Sequence, residues 1–181
     1  MKKLISALAL CLAAGSAGAL EITAVSTATV KGAAAAPLTV KGDFTFGAVA
    51  VKNIAYEKGG VIMPFTENKG KTYTDIKILS KGLYLKIEGC FKNGFAKPAK
   101  APAAPAVKVD SFKPLKSPAR VANAEISLDG DLLVVAGVMA SKKEEGAFWV
   151  AFPPDLVFVD GAFKSSVESA VIAAWVKKEK K

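Results

Sequence analysis

Short apolar stretches, many of them alternating with polar residues, run along the chain from Leu20 to Phe158, with one stretch of helical spacing midway and another at the C-terminal end. LTVKGDFTF, 38–46, puts Leu38, Val40, Phe44 and Phe46 on one face and predicts a half-buried strand. LEITAVSTATV, 20–30, predicts an irregular strand before it, and AAAAP, 33–37, a loop between the two. In AVAVKNIAY, 48–56, the apolar phase slips between Val51 and Ile54, which predicts a bulge near Lys52-Asn53. Lys58-Gly59-Gly60 reads as a hairpin turn into a short strand, Val61-Ile62-Met63, that Pro64 ends. KTYTDIKIL, 71–79, predicts one further strand. Leu83, Ile87 and Cys90/Phe91 then form a helical stripe, with Ser80 as N-cap and Gly94 as stop.

AKPAKAPAAPA, 96–106, breaks this pattern. Alternating Pro and Ala favour extended polyproline II over a packed core, so the segment reads as a semi-rigid linker. Beyond it a similar order returns. Strands are expected at 107–112, 121–130, 131–140, 147–154 and 156–161, the third almost wholly apolar and therefore central. SKKEEG, 141–146, is a solvated hairpin loop. A closing helix takes Ser165-x-x-Glu168 as its capping box and Val167, Val171, Ala174 and Trp175 as its apolar face. Aligning Asp75 with Asp160 and Ser80 with Ser165, each pair 85 residues apart, predicts an internal duplication. The fold class is α+β: two tandem modules, 20–95 and 107–181, each a small antiparallel sheet with a C-terminal helix.

The N-terminus reads differently. Lys2-Lys3, the eleven apolar residues Leu4 to Ala14, and Ala17-Gly18-Ala19 have the charge, length and small-x-small order of a secretory signal peptide, 1–19, cleaved after Ala19. The apolar run is shorter than the roughly 20 residues a spanning helix needs, and Leu10 before Cys11 argues against a lipoprotein. The expectation is export to the periplasm or beyond. Cleavage removes Cys11 and leaves Cys90 alone, which reads as a small buried hydrophobe that stays reduced, with an intermolecular disulfide as the sharper alternative. It also lowers Lys plus Arg from 25 to 23 against 16 acids, for a mature formal charge of +7.

Nearly all of that charge is lysine; Arg120 is the only arginine. Lysine lacks the planar fork that reads phosphate or guanine bidentately, so the charge favours loose attraction to polyanions over sequence-specific recognition. Chemistry is sparse. The chain has no histidine, the commonest general base and metal ligand. No phosphate-binding glycine loop occurs. Asp129-Gly130-Asp131 reads as a hairpin turn, because too few oxygen ligands follow it for calcium. The residues thus predict no catalytic site, no metal and no cofactor, and a secreted hydrolase is the weakest of the functions considered. Phe148, Trp149 and Trp175 sit in apolar patterns and are expected in the core.

LEITAV at the module start, Met63-Pro64 closing a strand, and Tyr73-Thr74-Asp75-Ile76 some eleven residues later resemble, in joint order and spacing, the SpoVG family. These are small bacterial proteins tied to septation and sporulation and to DNA or RNA binding. The resemblance covers roughly 20–92, and more loosely 107–177. It implies a non-enzymatic binding or scaffold protein, here exported and acting on an envelope protein or polymer, with a nucleic-acid-binding regulator as the alternative. It places polyanion contacts in the C-terminal helical part, at Lys177, Lys178, Lys180 and Lys181, a run that otherwise reads as a solvated helix end complementing the dipole. Because such modules usually pair, it also implies an intrachain pseudo-dimer and a monomeric mature protein.

Overall fold

The structure, a computed structural model, describes residues 20–30, 39–68, 70–100 and 102–180. The 33–37 loop therefore lies outside the described residues, as do the signal segment with its cleavage residue Ala19 and Lys181. Among the described residues the architecture is α+β, with antiparallel sheets and two helices.

In the first half, β1 (Ala24–Val30), β2 (Thr39–Phe46), β3 (Val49–Glu57) and β4 (Gly60–Ile62) run antiparallel in that order. The β2–β3 turn puts Gly47 at φ 59°, a conformation glycine adopts without a Cβ clash. Lys58 and Gly59, at φ 51° and 79°, make the tight turn before β4. The bulge lies where the phase slip puts it: Lys52 and Asn53 together face Asp43, and Asn53 takes φ 60° while its N–H donates to Asp43 Oδ1 at 3.0 Å. The second half repeats the plan with β8 (Val107–Pro114), β9 (Arg120–Leu128), β10 (Leu132–Ala140) and β11 (Phe148–Ala151).

The 71–79 stretch is not one strand. It divides into β6 (Lys71–Tyr73), which pairs with β5 (Thr66–Asn68) in a separate hairpin, and β7 (Ile76–Ile78), which leaves the first half and pairs with β10. Ile76 faces Val134 there, and Ile78 faces Leu132. The second half reciprocates. β12 (Leu156–Phe158) crosses to β3, with Leu156 opposite Val51 and Phe158 opposite Val49. Flanking hydrogen bonds match as well. Val135 N–H donates to the Asp75 carbonyl at 2.7 Å, and Lys52 N–H donates to the Asp155 carbonyl at 2.8 Å. Each five-stranded sheet thus has four strands of its own half and one from the other.

Each crossing strand leads directly into a helix. α1 (Lys81–Asn93) is capped by Ser80, whose Oγ accepts from Leu83 N–H, and it stops at Gly94. α2 (Gly161–Glu179) starts earlier than the Ser165 capping box predicts. Its N-cap is Asp160, in extended conformation, whose Oδ1 accepts from Ala162 N–H at 2.8 Å and Phe163 N–H at 3.1 Å. Ser165 lies inside the helix and donates back to the Gly161 carbonyl. β12 ends at Phe158, which leaves only Val159 and Asp160 before the turn must begin. By place in the structure, Asp155 precedes β12 as Asp75 precedes β7, and Asp160 caps α2 as Ser80 caps α1. Asp160→Ala is expected to cost about 1 kcal/mol and Ser165→Ala less than about 0.5 kcal/mol, measured by denaturant unfolding.

Both halves share one apolar core. Phe44, Val51, Ile54, Leu83 and Ile87 from the first join Ile126, Leu132, Val134, Val167 and Trp175 from the second. α1 lays Phe91 against Phe44 and Tyr56, and α2 lays Trp175 against Phe112 and Phe148. The 96–106 segment forms no strand or helix among its described residues. Pro105 is nonetheless buried, and Ala106 N–H donates to Asp129 Oδ1 at 2.7 Å, so the linker lies against the body.

Candidate functional site

The lysine-rich end of α2 stands beside β8, an edge strand of its sheet. An edge strand carries unpaired backbone groups, and exposed lysines there discourage pairing with another chain. Lys113 of β8 and Lys116 just beyond it are exposed, as are Lys177, Lys178 and Lys180 of the helix end. These side chains differ in availability. Lys178 Nζ donates to the Phe112 carbonyl at 3.0 Å and sits 5.7 Å over the Phe112 ring, so it ties the helix to the strand. Lys108 is taken up by Asp110 at 2.7 Å, and the hydrogen bonds from Lys108 and Ser127 hold the Asp110 carboxyl below its usual range. Among the described residues no ion pair engages Lys113, Lys116, Lys177 or Lys180. Four cationic groups of this surface are therefore available to an anion. Arg120 is not one of them: its guanidinium lies against Gly137, where an added Cβ would come within 2.7 Å of Nε.

Trp175 is buried and Phe148 half-buried, but Trp149 is half-exposed, against the core assignment. β11 is an edge strand, and with Val150 pointing inward its neighbour Trp149 must point out. Cys90 is half-buried rather than enclosed, on an open groove of about 330 Å³ lined also by Ile22, Lys86 and Phe95. Burial pushes the Cys90 thiol up from its ordinary value, which leaves little thiolate at neutral pH. Where the two crossing strands begin, Pro64, Tyr73 and Asp75 meet Pro153, Pro154 and Asp155 around a crevice of about 10 Å³, room for roughly one water. The two proline-ended strands thus converge at one place, a convergence the repeated sequence order hints at only through the prolines.

Among the described residues no three His, Cys, Asp or Glu side chains group closely enough to hold a metal ion, and no helix is long and apolar enough to cross a membrane. The sequence matches no protein-family model, and no curated protein or solved structure matches it.

Proposed function

We propose that the protein is an exported, non-enzymatic binding or scaffold protein of the cell envelope, built from two tandem SpoVG-like copies that pair within one chain. The observation that carries this reading is the reciprocal strand crossing, β7 onto β10 and β12 onto β3. A module that pairs by lending a strand needs a partner, and a tether of Pro- and Ala-rich residues keeps that partner at an effective concentration in the mM range. Such a body works as a rigid carrier of surfaces: the basic α2–β8 side and the exposed aromatics Phe65, Tyr73 and Trp149. The partner is an envelope protein or polymer, and a link to septation follows from the resemblance. Fractionation of the producing cell, with the intact mass of the recovered protein, tests export. The mass should correspond to a chain beginning at Leu20. Cytoplasmic protein that keeps Met1 would overturn the reading.

The second reading, a nucleic-acid-binding regulator, is favoured by the grouping of Lys113, Lys116, Lys177 and Lys180. With about four phosphate contacts, affinity for DNA or RNA should fall about 100-fold between 50 and 200 mM salt, with little preference among sequences. Gel-shift titrations at the two salt concentrations measure this. Tight, sequence-selective binding that survives the higher salt would contradict a surface made of lysine point charges.

A further inference from the structure

Leu20 is the residue that cleavage after Ala19 makes the first of the chain. Its side chain is 2% exposed, and its backbone N–H donates to Asp131 Oδ2 at 2.6 Å. Asp131 is itself 7% exposed. It sits at the β9–β10 turn, where its own N–H donates to the Leu128 carbonyl and its carbonyl accepts from Leu79 N–H just past β7. The backbone of Asp131 is thus held from two directions. Its side chain has Leu20 N–H as its one hydrogen-bond partner among the described residues, and no ion pair there engages it. Lys86 of α1 is close by, but its Nζ is committed to Glu21 Oε1 at 2.8 Å and to the Leu20 carbonyl at 3.3 Å. A buried carboxylate served by one neutral amide is poorly compensated; buried charges are normally paired.

We propose that hydrolysis of the Ala19–Leu20 bond completes this site: the new α-ammonium of Leu20 forms a buried ion pair with Asp131 and locks the processed chain end to the β9–β10 turn. In the cleavage, water adds across the amide. Ala19 leaves with the carboxylate, and Leu20 gains an amine that takes up a proton at neutral pH. The protease is the signal-cleaving enzyme of the export route. The inference rests on the export reading, since only a processed chain carries the cation. Nearby, Lys86 is held by Glu21 and by the Leu20 carbonyl, so Asp131 is the carboxylate that faces the new amine. Maturation then stabilises the fold, and an unprocessed chain keeps only the neutral hydrogen bond.

All described residues lie between 20 and 180, so chains beginning at Leu20 or at Ala19 both contain the whole described body. Each is made with Asp131 and with Asp131→Asn. Asparagine still offers an oxygen to a peptide N–H but no charge to an ammonium. In the Leu20 chain the substitution should lower Tm by about 10 °C, and in the Ala19 chain by less than about 3 °C. Should the Asn variants fail to fold, acylation of the unsubstituted chains by an amine-reactive ester decides. The Leu20 α-amine should react at least about 10-fold more slowly than the Ala19 α-amine, with surface lysines as internal reference. Equal Tm losses in the two chains, or equal acylation rates, would overturn the ion pair. The mass of the protein from the producing cell tests the other premise separately. An intact Met1 overturns export even where the Leu20 chain shows the coupling.

Discussion

Truncating Ile76 to alanine is expected to destabilise the whole protein by about 3 kcal/mol, within the range for emptying a buried aliphatic site. Ile76 is 1% exposed, and it belongs to the strand that the first half lends to the second, where it faces Val134. The cavity therefore opens in the sheet of one half by substitution in the other. Leu156→Ala should act the same way in reverse, since Leu156 faces Val51. Tm should fall by about 6–12 °C for either variant, with loss of structure in both halves together. Leu79→Ala, two residues past the β7 centre but half-exposed, serves as control and should stay within about 0.5 kcal/mol of the parent. A loss confined to the first half in Ile76→Ala would mean that the lent strand matters little to its host.

Dividing the chain within the linker is expected to have the second large effect. Each half carries four strands of one sheet and a strand made for the other. Alone, each half exposes the edge of β3 or β10 that its partner covers, and an uncovered edge seeks another strand. Neither half should be a stable monomer. Each should unfold or self-pair, and mixing the two should recover a one-to-one complex. Size exclusion with light scattering on the halves, on their mixture and on residues 20–181 measures this. Two halves that remain folded monomers and ignore one another would refute it. The tether matters because it keeps the two edges together: without it, association depends on mixing concentration rather than on an effective mM value.

Much of the local structure was legible because its causes are local. A phase slip in alternation located the bulge at Lys52-Asn53, Gly59 located a tight turn, and Ser80 with Gly94 bounded α1. The crossing of β7 was not legible, because period-2 alternation says which face a residue takes and not which strand lies alongside. Tyr73 and Ile76 look alike in sequence, yet the chain changes partner between them. Ser165-x-x-Glu168 satisfied a helix-start pattern but lost to Asp160, because the position of β12 fixes where the turn begins. In AFWVAF every residue is apolar, so alternation carries no contrast, and only the packing of Val150 against the core turns its neighbour Trp149 outward. The seat of Leu20 on Asp131 joins residues 111 apart, for which the chain holds no local sign. Of the lysines at the α2 end, the run 177–181 stood out by density, whereas Lys113 and Lys116 joined the surface only through the packing of α2 on β8.

The central claim is that strand crossing makes one cooperative body of two halves, and the chain carries its own reporters for testing it. All three tyrosines, Tyr56, Tyr73 and Tyr84, lie in the first half, and both tryptophans, Trp149 and Trp175, lie in the second. Tyr84 is held by its hydroxyl, which accepts from Val61 N–H at 3.2 Å, and Trp175 is buried against Phe112. Denaturant unfolding of the Leu20–Lys181 chain should be followed at once by tryptophan fluorescence and by fluorine resonances of fluorotyrosine. Coincident midpoints and slopes, as a two-state unit requires, are the predicted result. Two separated transitions, with the tyrosine half and the tryptophan half melting independently, would contradict it.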